Sequence, residues 1–153
     1  MDAEVWPDQR VIRFVNDNFM AARVHPQKNP NDFKQYGQRY SAQWTPIVLT
    51  LDSEGVEHYR IEGFLPADDF LGQLMLGWAR IAFDGGQWGE AEQRYREIVE
   101  RLPKTDAAAE ALYWAGVAPY KATGDAKFLK ATGAAFKDRY RDSTWAKKAS
   151  VWT

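Results

Sequence analysis

The chain has 153 residues, 45% of them hydrophobic and 14% aromatic, which supplies a core for one compact domain or two small ones and excludes a disordered chain. The formal net charge of −1 gives no indication of nucleic-acid or membrane binding, although residues 1–71 carry a net charge of −4 and residues 72–153 one of +3. The absence of cysteine excludes disulfides, thiol catalysis and zinc–thiolate sites in these residues.

The chain begins with helical and extended patterns in alternation. Pro7 and Asp8 favour the start of a helix, which is followed by a short apolar run over residues 19–24. Because that run is apolar throughout and partly β-branched, it predicts a buried strand. The two prolines of residues 25–30 indicate a loop.

A second helix and a hairpin are predicted next. Asn31 or Asp32 is expected to cap the helix, and residues 47–51 predict another buried strand. Gly55 fits the left-handed position of a turn that leads into an edge strand over residues 56–61.

From Ala67 onward every pattern is helical. A long helix is predicted from Ala67 to about Phe83, and the glycine pair at residues 85–86 ends it. Apolar residues at spacings of three and four then predict a helix from Trp88 that Pro103 stops.

Three further helices complete the pattern. The first is capped at residues 105–106, and Pro119 predicts a kink in its last turn or an early stop. Another helix is predicted over residues 128–140, and a short last one follows a hydroxyl cap at residues 143–144.

The second half of the chain repeats itself at an offset of 38 residues. Each copy has a helix end, a polar turn and an Ala-x-x-Ala-x-x-Trp helix start. The aligned pairs include Ala108 with Ala146, Ala111 with Ala149, and Trp114 with Trp152. Small alanines let helices approach closely, and the aromatic residue fills the gap between pairs.

This repeat resembles the tetratricopeptide repeat. The small and bulky positions of that pattern are matched by Trp78, Ala79, Ala82, Ala91, Tyr95, Ile98 and Pro103. Pro119 and a longer spacing before Phe136 depart from the pattern, so an ordinary bundle of helical hairpins remains the alternative.

Residues 8 to 76 resemble the second half of a thioredoxin-like domain. The order is helix, strand, helix, Thr-Pro, strand, glycine turn, strand, glycine and helix. The matching residues are Asn18, Phe19, Arg23, Val24, Tyr40, 43–47, Leu51, Asp52, Gly55 and 60–64.

The resemblance implies a peptide-binding site at Trp44, Thr45 and Pro46. In the family the proline of this motif follows a cis peptide bond, which here would present the backbone of Thr45 to an extended peptide in a strand-addition mode. Alternatively, Thr45-Pro46 is only the entry to a strand.

Two family features are missing. No residue can act as the family's nucleophilic thiolate, and the central strand that normally lies between the strands predicted at 19–24 and 47–51 has no counterpart. Either the chain starts downstream of its natural start, or the shortened unit fills the gap in another way. We expect direct pairing of these two strands, a homodimer through exposed strand edges, or low stability.

No other site chemistry stands out. His25 and His58 lie in different elements without partners at metal-ligand spacing, and no cofactor motif occurs. No segment reaches the roughly 18 apolar residues of a membrane helix. The acidic start of the chain is not a signal peptide, so we expect a cytoplasmic protein.

The sequence therefore predicts an α/β fold followed by an all-α extension. A thioredoxin-like segment is expected over residues 1–76 and tetratricopeptide-like repeats over 67–153, with the helix 67–83 shared between them. The predicted function is non-catalytic protein or peptide binding, without nucleic acid or membrane. The alternative is the remainder of a thiol–disulfide oxidoreductase whose Cys-x-x-Cys lies upstream of Met1.

Overall fold

The structure, a computed structural model, describes residues 1–153 as seven α-helices, two β-strands and a final 3-10 turn. Their bounds are α1 Gln9–Asn18, α2 Pro30–Tyr40, β1 Ile47–Leu51, β2 Glu57–Glu62, α3 Ala67–Asp84, α4 Trp88–Arg101, α5 Asp106–Thr123, α6 Lys127–Asp138, α7 Thr144–Ala149 and the 3-10 turn Ser150–Trp152. The chain divides into an N-terminal unit, Met1–Ala67, and a helical unit, Asp68–Thr153. This order confirms the predicted α/β part followed by an all-α part.

The helices of the N-terminal unit begin at recognisable caps. The predicted helix start at Pro7 and Asp8 is confirmed, and the Asp8 carboxylate caps α1 by accepting a hydrogen bond from the Arg10 amide (2.8 Å). The cap predicted for α2 at Asn31 or Asp32 is wrong, because the helix already begins at Pro30 and Asn29 is the flanking residue. Proline suits a first helical position, where the amide would have no partner in any case.

The sheet has two antiparallel strands, β1 and β2, and a tight connection between them. Asp52 Oδ1 accepts hydrogen bonds from the Glu54 and Val56 amides (2.9 Å each). Gly55 has φ +78°, the left-handed conformation predicted for it.

The strand predicted over residues 19–24 is wrong. Phe19 has extended backbone angles, but residues 20–24 belong to no strand and make no backbone–backbone hydrogen bond. The side chain of Met20 is fully exposed. An apolar run becomes a strand only where a neighbouring strand pairs with it, and neither β1 nor β2 does. Direct pairing with β1, one of the three expected outcomes, does not occur.

Helix α3 runs without interruption from Ala67 to Asp84, so residues 70–80 contain no linker and no break. The boundary between the two compact units falls at its first residue. That both parts of the chain use this helix stays a prediction.

The helical unit follows the predicted order with two corrections. Helix α5 continues through Pro119 to Thr123 and ends at Gly124, whose φ is +72°, so the early stop is wrong. Helix α6 ends at Asp138 rather than near residue 140. Tyr140 instead adopts φ +55°, and its hydroxyl donates a hydrogen bond to the Pro103 carbonyl (2.8 Å).

The cap predicted at residues 143–144 is confirmed, because the Ser143 hydroxyl accepts a hydrogen bond from the Ala146 amide (3.0 Å) at the start of α7. At the cap predicted at residues 105–106, Thr105 flanks α5 but its side chain makes no capping hydrogen bond. No helix combines the length and the apolar composition that a bilayer crossing requires.

Candidate functional site

The predicted site residues Trp44, Thr45 and Pro46 form a bend between α2 and β1, and all three are exposed. The end of α2 sets this bend, because the Ala42 amide donates to the Gly37 carbonyl (2.9 Å). A β-carbon at Gly37 would lie 2.8 Å from the Ala42 carbonyl oxygen, so only glycine permits this close return of the chain.

The loop is fixed to one end of the hairpin. The Thr45–Pro46 peptide bond is cis, in agreement with the resemblance. The Pro46 carbonyl accepts a hydrogen bond from the Gly63 amide (2.9 Å), which extends the pairing of β1 and β2 by one step. Trp44 therefore precedes β1 and Phe64 follows β2 at the same end of the hairpin.

Phe64 is a candidate residue that the sequence reasoning missed. Its side chain is 52% exposed and that of Trp44 is 58% exposed, which is unusual for large aromatic rings. The sequence signal that could have identified Phe64 is its position after Gly63 at the end of an edge strand. A chain that leaves a sheet there exposes its next side chain. The two rings give this end of the hairpin an apolar surface.

The hairpin is held to α2 by two side chains. The Tyr40 hydroxyl donates to the Gly55 carbonyl (2.8 Å), and the Arg60 guanidinium donates to the Tyr40 carbonyl. Arg60 also bonds to the Glu57 carboxylate (2.7 Å), which lowers the pKa of Glu57 and raises that of Arg60. These contacts fix the turn and β2 of the hairpin against the end of α2.

Both histidines stabilise turns. His58 Nε2 lies 2.8 Å from Asp52 Oδ2, and this hydrogen bond, followed by the Val56 amide, lowers the pKa of Asp52. His25 Nδ1 accepts hydrogen bonds from the Gln27 and Lys28 amides (3.2 and 3.3 Å). No group of three or more histidine or carboxylate side chains is placed to hold a metal ion.

The N-terminal unit leaves an unusual amount of its apolar surface uncovered. Its fully buried residues are Val5, Val11, Thr50 and Ile61. Its exposed large apolar side chains are Ile12, Met20, Tyr36, Trp44, Val56 and Phe64. Each strand of the two-stranded sheet also has one edge without a strand partner. An extended chain could pair with such an edge and cover apolar side chains beside it.

The tryptophans of the helical unit are less buried than their repeat positions predict. The five tryptophans of this unit are all half-buried, namely Trp78, Trp88, Trp114, Trp145 and Trp152. Spacing along the chain identifies the inward side of a helix but not how far the neighbouring helices cover it. These rings form a second surface of interest.

Comparison with known families identifies the first part of the chain. Residues 1–76 match the family model of the thioredoxin-like domain. A thioredoxin-like domain is therefore present, without any cysteine, and its family model ends inside α3. No curated protein and no solved structure matches the chain significantly.

Proposed function

We propose that the chain is a non-catalytic protein-binding module, in which a thioredoxin-like unit binds an extended peptide and tetratricopeptide-like helical pairs provide a second surface. The observation that carries the proposal is the loop Trp44–Pro46 at the entry to β1. It presents an exposed aromatic ring beside a strand with one open edge. Thioredoxin-type chemistry needs a thiolate, and this chain has no cysteine to supply one.

The binding mode is strand addition. A peptide that pairs with the open edge of β1 gains main-chain hydrogen bonds, and its side chains contact the apolar surface at Trp44 and Phe64. A second copy of the chain could use the same edge, which would give a homodimer that competes with peptide.

The tetratricopeptide-like part of the proposal is supported by close helix approach at small residues. A β-carbon at Gly72 of α3 would lie 2.8 Å from the Ala107 β-carbon of α5, so these two helices nearly touch there. The Arg94 guanidinium of α4 lies 3.6 Å from the centre of the Trp78 ring of α3. Helix pairs that stack through small residues and aromatic rings are typical of helical repeats.

Fluorescence anisotropy with a defined peptide tests the function. The probe is a fluorescein-labelled peptide of alternating valine and threonine, compared with the same peptide N-methylated at every second amide. Strand addition requires the main-chain amides, so the N-methylated peptide should lose binding. Equal binding of the two peptides would contradict the proposed mode.

Substitutions in the N-terminal unit test where the valine–threonine peptide binds. W44A should weaken binding of this peptide about tenfold, as expected for an aromatic anchor. Y36A is the matched control, because Tyr36 is also a half-exposed ring of the same unit but lies on α2. Sedimentation equilibrium on the same samples would show whether self-association occupies the edge instead.

A further inference from the structure

The helical unit contains a continuous row of half-exposed aromatic side chains, here called the aromatic row. Its members are Phe83 of α3, Tyr113 and Trp114 of α5, Trp145 of α7, and Trp152 of the 3-10 turn. Neighbouring ring centres lie 4.6 to 5.2 Å apart from Phe83 through Trp114 and Tyr113 to Trp145 and Trp152. Three helices that are not consecutive in the chain thus contribute to one surface.

Two cations lie against this row. The Arg80 guanidinium lies 5.1 Å from the centre of the Trp114 ring, and the Lys148 ammonium lies 3.9 Å from that of Trp145. Arg80 is paired with Asp84 (2.8 Å), whereas Lys148 has no carboxylate within ion-pair distance. Apart from a longer-range attraction to Glu110, Lys148 is therefore open to an external anion.

The row also contains a hydrogen-bond donor without an acceptor. The indole nitrogen of Trp114 is buried and makes no hydrogen bond. Glu110 lies one helical turn earlier, and the indole still stabilises its charge in part, without the geometry of a full hydrogen bond. A buried donor without a partner is unfavourable, and the acceptor beside this one is the Glu110 carboxylate.

The surrounding chain is basic, and few of its charges are neutralised by a carboxylate. Residues 121–153 carry 8 Lys/Arg and 3 Asp/Glu, and Lys127 with Asp125 (3.0 Å) is the only ion pair among them. Such an unpaired positive field attracts acidic partners. Apolar contact area is supplied by the half-exposed rings.

From these contacts we infer that the aromatic row is a docking surface for an acidic, partly apolar peptide segment of a partner protein. An acidic side chain of the segment pairs with Lys148, and an apolar side chain packs on the exposed rings. The inference rests on the proposed binding function and names the partner class of its second surface.

A single-stranded nucleic acid fits this surface less well. Bases bind proteins by stacking on open ring faces. Here Tyr113 and Trp152 stack on each other, Arg80 lies over Trp114, and Lys148 lies over Trp145. Few ring faces are left on which a base could stack.

The test compares three fluorescein-labelled probes on the full chain by anisotropy. The first is the acidic peptide Gly-Asp-Glu-Ile-Asp-Glu-Leu-Gly, the second its neutral counterpart Gly-Asn-Gln-Ile-Asn-Gln-Leu-Gly, and the third a short oligo-dT strand. The acidic peptide should bind at least about tenfold more tightly than the neutral one. Equal binding of the two peptides, or tighter binding of oligo-dT, would overturn the inference.

Matched charge reversals locate the site. K148E should weaken binding of the acidic peptide about tenfold, whereas K137E, which reverses the charge of another exposed lysine on α6, should change it less than about twofold. E110Q removes a nearby negative charge and should tighten the same peptide. If K148E and K137E lost the same amount of affinity for the acidic peptide, binding would be unspecific electrostatic attraction, and the assigned site would be overturned.

One further variant separates this inference from the peptide site of the N-terminal unit. W44A should leave the acidic peptide bound as in the parent chain, even if it abolishes binding of the valine–threonine peptide. Loss of the acidic peptide in W44A would place its binding at the Trp44 loop and contradict the aromatic-row assignment.

Discussion

Thr132 of α6 occupies the space that any side chain at Gly116 of α5 would need. A β-carbon at Gly116 would lie 1.9 Å from Thr132 Oγ1 and 2.8 Å from its β-carbon. The Thr132 hydroxyl is itself held by a hydrogen bond to the Phe128 carbonyl (2.8 Å), so it cannot turn away without losing that bond. The close approach of α5 and α6 therefore depends on glycine at this position.

We expect G116A to destabilise the helical unit by about 2 kcal/mol, because the new methyl group must displace a well-packed helix. G89A is the control: Gly89 lies in α4 and a β-carbon there meets nothing within 4 Å. That change should stabilise the chain by about 0.5–1 kcal/mol through helix propensity. Urea unfolding followed by far-ultraviolet circular dichroism measures the free energy of unfolding of both variants. A G116A variant as stable as G89A would contradict the steric account.

Removal of the Tyr40 hydroxyl should loosen the hairpin of the N-terminal unit. Y40F loses the hydrogen bond to the Gly55 carbonyl at a cost of about 1 kcal/mol. Y36F is the matched control, since the Tyr36 ring stacks on Tyr40 but its hydroxyl makes no hydrogen bond. Amide hydrogen exchange over residues 47–62 should accelerate in Y40F and stay unchanged in Y36F.

Glu110 should make the helical unit less stable as the pH rises. Burial raises the pKa of Glu110, and the nearby Trp114, Lys148 and Arg80 oppose this only in part. A carboxyl group whose pKa is raised in the folded state does not reduce stability below its unfolded pKa. The loss of stability grows as the pH rises from the unfolded pKa through the folded pKa. E110Q should therefore be more stable than the parent at pH 7, and the difference should vanish near pH 4. A constant difference across this range would exclude the titration of Glu110 as its cause.

Asp52 should show the opposite pH dependence. Its hydrogen bond with His58 and its bonds to the turn amides lower its pKa, so its stabilising contribution is present above the unfolded pKa and is lost as pH falls through the folded value. D52N should weaken the hairpin at neutral pH, with a difference that shrinks in strong acid. Hydrogen exchange at the Val56 amide, which bonds to Asp52 (2.9 Å), reports this locally.

Most helices and the hairpin could be predicted from the sequence because their signals are local. Asp8 and Ser143 form caps, and Gly55 takes the one backbone conformation that its turn requires. The segment 19–24 could not be predicted, because strand formation depends on a partner strand elsewhere in the chain and the local apolar pattern carries no information about one.

The candidate sites were predictable to different degrees. The loop at Trp44 followed from an ordered motif that includes a Thr-Pro step. The unpaired indole of Trp114 could not be predicted, because a spacing pattern places a ring towards its neighbours without fixing where its N–H points. The exposure of Phe64 likewise depends on how the chain leaves β2.

The stretch from Met20 to Val24, which belongs to no helix or strand, makes this part of the chain a preferred target for proteases. Proteases bind their substrates as extended chains, and this stretch has exposed side chains at residues 20–23 and no backbone–backbone hydrogen bonds to break. Arg23, held only by an exposed ion pair with Asp2 (2.9 Å), offers trypsin a cleavage point that needs little local unfolding. Limited trypsin digestion should therefore cut after Arg23 before it reaches the basic residues within α4, and α1 would be released as a separate fragment.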